Sequence, residues 1–362
     1  MNIPFFGLDR QYANLKEELL KATDHVLASG QLMNGPYTSE FELWLAQKNK
    51  RKYAITCHSG TQALEIIAAY WYEVFKTYVA QPLAYIPSFT FPATVNAFIN
   101  TGWDIELVDC NKYGKSSFKS GDNGKNLYVM VGLYGAPTRD YTHYWRTAQS
   151  SNHIIIEDAA QHWLSDNCKR HSHAAAISFD PTKNLPSSGN GGAIITSDDN
   201  FAKWARSYRQ HGNLDENITG INSRMSETDC AHMLVRAQHI DEWQTRRQEI
   251  ATMYNKGFSK HKNVSTLIKN SELKDHACQK YVINIDYRDE VLEGLKQDGI
   301  ECKVHYQRPL HEYKMYENYS NLDMLSKATV LSRRVLSLPM YPELSNKEVK
   351  YIIKRVRFHT SV

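Results

Sequence analysis

The sequence predicts an α/β protein: a large domain with a mostly parallel seven-stranded sheet flanked by helices, followed by a smaller C-terminal α/β domain. Three observations predict it. Short apolar runs recur between about residues 50 and 240, amphipathic stretches alternate with them, and the alternation restarts on a smaller scale further on.

The candidate strands are Tyr53–Thr56, Leu83–Pro87, Ile105–Asp109, Leu127–Leu133, Ile154–Glu157, Ala175–Phe179 and Ala193–Thr196. Several are apolar throughout, as strands covered on both faces should be. Between them, Leu64, Ile67, Ala68, Trp71 and Phe75 share one helical face, as do Phe201, Trp204, Ala205 and Tyr208. Strands alternating with such helices favour a parallel sheet with helices on both sides. Ser226-Glu-Thr-Asp229 fits the start of a helix that runs through Met233 to Trp243. Beyond it, Tyr281–Ile285 reads as a strand, Glu290–Gln297 as a helix and Ile300–Val304 as a strand. A last helix opens at the Ser345-Asn-Lys-Glu348 box and buries Val349, Ile352, Ile353 and Val356. The expected division is residues 1–240 for the large domain with its N-terminal segment and 241–362 for the small one, with no sharp mark at the boundary.

The length, 362 residues, fits two domains or one large domain with an appendage. Apolar residues make up 42% and charged residues 23%, a globular composition. A net charge of +4 over such a chain argues against nucleic-acid or membrane-surface partners. No apolar stretch is long enough to span a bilayer, and the N-terminus lacks a secretory pattern. The cysteines (57, 110, 168, 230, 278, 302) follow no framework spacing, so a cytoplasmic location is expected.

Chemistry concentrates in three places. Ser59-Gly60-Thr61 lies between a strand and a helix start, where backbone amides, a glycine and a hydroxyl can hold an anion. The same residues also fit an ordinary helix cap. Ile154-Ile-Ile-Glu-Asp158-Ala-Ala-Gln161 ends a buried strand on a carboxylate, where ligands bind in open α/β sheets; a strand-end turn is the plainer reading. Ser178-Phe-Asp-Pro-Thr-Lys183, followed by Gly189-Asn-Gly-Gly192, puts a lysine in a turn between two buried strands. Lysines are usually solvated, but one with a depressed pKa can form Schiff bases. Cys168, His171 and His173 lie close in sequence, yet no second ligand cluster accompanies them, so no metal is expected.

Taken together, Ser59-Gly-Thr-Gln-Ala-Leu64, Tyr134-Gly135, Pro87-Ser-Phe-Thr-Phe91, Glu157-Asp-Ala-Ala-Gln161, Pro181-Thr-Lys-Asn-Leu185, Gly191-Gly192, Asn222-Ser-Arg-Met225, Val304-His-Tyr306 and Pro309-Leu-His311 give the chain a specific likeness. It resembles, over nearly its whole length, the DegT/DnrJ/EryC1/StrS family of sugar aminotransferases, which use pyridoxal 5′-phosphate (PLP) on an aspartate aminotransferase-type fold. The resemblance implies that Lys183 holds PLP covalently, Asp158 pairs with the pyridinium nitrogen, Gln161 meets the phenolic oxygen and Phe91 stacks on the ring. It implies phosphate contacts from Gly60, Thr61 and Ser178. It implies also that Asn222 and Arg224 reach the site of a second subunit, in a homodimer with shared active sites, and that His305, Tyr306 and His311 lie near the substrate mouth.

The function so implied is ping-pong transfer of an amino group, with L-glutamate as the expected donor and a nucleotide-linked keto-deoxy sugar as acceptor. Lys183 would be both the Schiff-base residue and the proton carrier. Lysine at this position argues against the related sugar 3-dehydratases, which carry histidine there. A keto-cyclitol acceptor, or a non-catalytic PLP-binding regulatory protein, are the alternatives. One departure stands out: where the family continues with Ala-His-Gly, Gln161 is followed by His162-Trp163-Leu164. Bulky groups are therefore expected near the ring.

Overall fold

In the computed structural model, residues 1–116, 126–136, 145–149, 153–165, 172–213, 215–319 and 325–361 are described. Two sheets organise them. The first has seven strands: β1 (Tyr53–Cys57), β2 (Leu83–Pro87), β3 (Asp104–Val108), β4 (Leu127–Val131), β5 (Ile154–Asp158), β6 (Ala174–Ser178) and β7 (Gly192–Thr196). Their spatial order is β1-β7-β6-β5-β4-β2-β3. The pairs from β3 through β6 are parallel, and β7 is antiparallel to both β6 and β1. The mostly parallel seven-stranded sheet expected from the apolar runs is therefore present.

Alternation along each strand divides the core in two. Ile55, Cys57, Ile156, Ala174, Ala176 and Ile194 face α3 (Gly60–Phe75), α4 (Pro92–Asn100) and α5 (Asp199–Tyr208). Ala54, Ala175, Ile177, Ala193 and Ile195 face the other way, toward α1 (Leu8–Ser29), α2 (Pro36–Lys48) and α6 (Glu227–Ala237). Each large side chain buried this way contributes about 1.5–3 kcal/mol. The two stripes picked out on α3 and α5 face this core, with Trp204 and Tyr208 only partly buried.

The second sheet is antiparallel, in the order β10-β9-β8, from β8 (Val264–Thr266), β9 (Tyr281–Ile285) and β10 (Val335–Leu338). It packs with α7 (Ile240–Phe258), α8 (Arg288–Gln297) and α10 (Asn346–His359) around a separate apolar cluster that also takes in Ile3. α9 (Ser326–Arg334) leads into β10.

Two expectations are corrected here. Residues 300–304 do not form a strand; they make only isolated bridges, Ile300 with Ile3 and Lys303 with Ser337. The helix expected from Ser226 through Trp243 is two helices, broken at Gln238 and His239 between α6 and α7. The Ser345–Glu348 box is complete, with side chain and backbone bonded in both directions.

Candidate active site

Strand register gathers the site at one edge of the large sheet. Val131 at the end of β4 pairs with Asp158 at the end of β5; Ser178 at the end of β6 and Cys57 at the end of β1 both pair with Gly192 at the start of β7. The turns that leave these ends close around a cavity of about 260 Å³. Its walls include Gly60, Thr61, Phe91, Asp158, Gln161, Ser178, Lys183, His305 and Tyr306. Nine of the predicted site residues thus meet in one place, as ligand sites in open α/β sheets require.

One wall is an anion cradle. Ser59 caps α3 by accepting from the Gln62 amide at 3.1 Å, so the plainer reading of this segment is also correct. The Gly60 and Thr61 amides remain without an acceptor among the described residues and point from the positive end of α3. A Cβ on Gly60 would stand 2.6 Å from the Ser178 Cβ, so only glycine lets the helix start approach that hydroxyl.

The opposite wall carries Asp158. Thr94 Oγ1 donates to its Oδ2 at 2.7 Å, and the Ala160 amide donates to its Oδ1 at 3.1 Å. Thr94 is bonded in turn to Thr90 at 3.0 Å. These bonds fix the carboxylate plane while leaving lone pairs for a cationic partner. The Gln161 amide is held similarly: its Oε1 accepts from the Tyr134 backbone at 2.6 Å, and its Nε2 donates to the Tyr306 hydroxyl at 3.2 Å. Phe91 caps the entrance of α4, is 55% exposed, and lies 6.1 Å from the Tyr306 ring.

Lys183 stands in the turn Asp180–Lys183, closed by a 2.8 Å backbone bond. Its amine has no hydrogen-bond acceptor among the described residues. Burial pushes its pKa down, while Asp158 and Asp180 oppose the shift. Burial likewise holds His305 down, to about 2, and pushes the Tyr306 hydroxyl up. His305 is a neutral ring bonded to Ser337 at 2.9 Å, and its carbonyl accepts from the Tyr134 hydroxyl.

Other expectations fare differently. His311 does not line the cavity: its ring is buried between Ser88 and Thr329, where it ties η-turn Leu310–Glu312 to the strand-end loop after β2. Asn222, exposed, and Arg224, half-buried, also stay outside the cavity, where Arg224 reaches Asn222 Oδ1 at 3.4 Å. His162 and Trp163 are not beside the ring site. His162 is fully buried on Glu157 at 3.1 Å and fills the space left by Gly132, whose Cβ would fall 2.1 Å from the imidazole. Trp163 packs edge-on against Trp44 and Phe179 in the core. The bulk added after Gln161 therefore points away from the cavity. Of the cysteine–histidine group, Cys168 and His171 lie outside the described residues, and among those described no cluster could hold a metal.

Among the lining residues the sequence did not single out is a lysine, Lys280, immediately before β9. A lone lysine ahead of an apolar strand looks like a solvated flank; the one hint was that the run it introduces, Tyr281–Ile285, is apolar enough to be covered on both sides.

PLP fits this donor set. The cradle of Gly60, Thr61 and Ser178 suits its phosphate, Asp158 its pyridinium, and the unpaired Lys183 amine its aldehyde carbon.

Comparison with known proteins agrees with this geometry. The DegT/DnrJ/EryC1/StrS aminotransferase family matches residues 13–357. A dTDP-3-amino-3,6-dideoxy-alpha-D-galactopyranose transaminase of Aneurinibacillus thermoaerophilus is 30% identical, over 98% of both chains. A protein of Geobacillus stearothermophilus described as a pleiotropic regulatory protein is also 30% identical over 98% of both chains. Among solved structures, Streptomyces venezuelae DesV superposes with a TM-score of 0.91 at 27% identity, covering 100% of this chain and 99% of its own. A match over nearly the whole chain, joined to a lysine, an aspartate and an anion cradle in one cavity, places this protein in the DegT/DnrJ/EryC1/StrS aminotransferase family, as a PLP-dependent transaminase.

Proposed function

We propose that the enzyme moves an amino group from L-glutamate to the keto carbon of a nucleotide-linked deoxy sugar, in two half-reactions that share one site. The observation that carries this reading is the placement of an unpaired, pKa-depressed Lys183 in the same cavity as Asp158. Bound PLP supplies an electron sink for the carbon that loses its proton. The chain does the rest. Gly60, Thr61 and Ser178 bind the phosphate, and Asp158 keeps the ring nitrogen protonated. Gln161 donates toward the phenolic oxygen, and Phe91 covers one ring face. The Lys183 amine would take the proton from the donor's α-carbon and return it, as base and then acid. Burial lowers its pKa, which favours the neutral amine that this work needs.

The relatives support this kind of acceptor: the Aneurinibacillus protein is named for a dTDP-amino sugar, and a Pseudomonas aeruginosa relative, 29% identical, for a UDP-linked 3-oxo-glucuronate. In this reading residues 1–240 form the cofactor-binding domain and 241–362 the smaller one, and the enzyme works in the cytoplasm as a homodimer. Asn222 and Arg224, outside their own cavity, serve the partner's site. The Geobacillus relative supports a second reading, a PLP-binding regulator without turnover. One experiment separates them. The holoenzyme is mixed with L-glutamate and a panel of nucleotide keto sugars and keto-cyclitols, following the cofactor's visible spectrum and identifying the product by mass spectrometry and NMR. A spectral change with L-glutamate and an aminated nucleotide sugar are expected; no response to any amino donor would favour the regulator.

A further inference from the structure

Lys280 is a buried cation that the reaction as described does not use. It lines the active cavity beside Lys183, yet is only 5% exposed. Its ammonium donates to Gln279 Oε1 at 2.7 Å, a neutral acceptor, and forms no ion pair among the described residues. An ammonium so enclosed is costly unless an anion meets it. Neither nearby carboxylate pairs with it among the described residues. Asp158 holds Thr94 and the Ala160 amide, and Asp180 Oδ1 takes the amide and hydroxyl of Thr182.

The residue is also held in place from several sides. Its amide donates to the Tyr134 carbonyl at 3.2 Å, and the Ala277 amide to the Gly135 carbonyl at 2.8 Å. Gln279 Nε2 donates to the Thr182 carbonyl at 2.8 Å, and Asn184 Nδ2 to the Ala277 carbonyl at 2.7 Å. Residues 277–280 are thereby clamped between the turn after β4 and the loop that bears Lys183. Lys183 and Lys303 lie within electrostatic reach and add like charge, against the opposing carboxylate of Asp180; His305, also in the lining, is neutral. Burial with these like charges drives the Lys280 pKa well down, a penalty that an incoming anion would relieve. The phosphate cradle lies on other elements, the start of α3 and the end of β6.

We infer that Lys280 is the group that recognises a carboxylate of the substrate, in the cavity it shares with Lys183. The inference rests on the aminotransferase reading above and names the chemistry its substrate must carry. The carboxylate has two sources, the amino donor and an acidic sugar acceptor.

The test uses holoenzyme of the wild type and of Lys280→Met, Lys280→Gln and Lys280→Arg, each checked for cofactor loading and thermal midpoint. Glutarate, which has the carboxylates of L-glutamate without its amine, is titrated by calorimetry. The donor half-reaction is followed as a function of L-glutamate, and amino transfer is compared between UDP-2-acetamido-2-deoxy-3-oxo-glucuronate and its neutral 3-oxo-glucose counterpart. Loss of a buried charge-assisted bond should weaken binding roughly 10- to 100-fold in the Met and Gln variants, with recovery in the Arg variant. If the donor is the source, glutarate binding and the saturation constant for L-glutamate shift together, more than the limiting rate does. If the acceptor is the source, those stay put and preference for the acidic sugar disappears. If neither moves in a folded, cofactor-loaded Met or Gln variant, the inference is wrong. A wild type that binds glutarate through Lys280 but transfers no amino group would instead overturn the proposed function alone.

Discussion

At Lys183 two opposing influences meet. Burial favours the neutral amine, and the carboxylates of Asp158 and Asp180 favour the ammonium; burial prevails, so the group is poised to act as nucleophile and proton carrier. Replacing it with alanine should leave a protein that still takes up PLP through Asp158 and the phosphate cradle. The holo-variant should lack the absorbance of a lysine-linked cofactor and lose activity by at least about a thousandfold. Absorbance spectra and a coupled assay check both. Several of these residues were legible before any coordinates. Asp158 stood out because it ends an apolar strand on a carboxylate, and Lys183 because it stands in a turn between two buried strands. His162 misled because it follows Gln161 directly; the turn after β5 and the space at Gly132 take its ring away from the cavity to Glu157. His311 misled differently: the family resemblance put it near the substrate mouth, whereas Ser88 and Thr329 occupy both its ring nitrogens.

Elements were legible where their burial is uniform. Six strands of the large sheet are mostly buried along their length, so their apolar runs stand clear of the flanks; β3, at the sheet's edge, instead alternates, with Asp104 and Glu106 exposed. β8 and β10 were not seen: β8 has three residues with one buried, and β10 follows α9 without a break. α2 shows how an element can depend on a distant one. It starts at Pro36 with no cap of its own, and its first amides are met by Glu227 of α6. That buried carboxylate accepts from Gly35 at 2.8 Å, Tyr37 at 2.9 Å and Thr38 at 2.9 Å. It satisfies the orphan donors of a helix start and complements the dipole there. Glu227→Ala should therefore strand three amides and cost about 2–4 kcal/mol of stability, far more than an ordinary cap deletion. Denaturant unfolding would show it as a lower midpoint with little change in slope. An effect under about 0.5 kcal/mol would mean that water replaces the carboxylate at no loss.

At the scale of the whole molecule, the joint between the two sheets makes stability depend on pH. His276 is buried beside the α7 residues Gln244 and Gln248, and its Nδ1 accepts from the Cys278 amide at 2.9 Å, a role open only to the neutral ring. Burial, with Lys115 and His162 nearby, lowers its pKa from 6.5 to about 3. The unfolded chain thus binds this proton first as pH falls, so the stability contributed is full above about 6.5 and drains away toward about 3. The thermal midpoint of the wild type should fall through that window, and His276→Asn should start lower at pH 8 but fall less. The second molecular property is the assembly. If Asn222 and Arg224 serve a neighbour, then each active site takes Lys183 from one protomer and Arg224 from the other. Lys183→Ala and Arg224→Ala proteins would each be impaired alone. Unfolded together and refolded, they would form mixed dimers in which one site carries both defects and the other carries neither. Random pairing makes half the dimers mixed, so activity should return to about a quarter of the wild-type level. Should Arg224 act within its own chain, every site in the mixture would keep one defect, and no activity beyond the sum of the two variants would return.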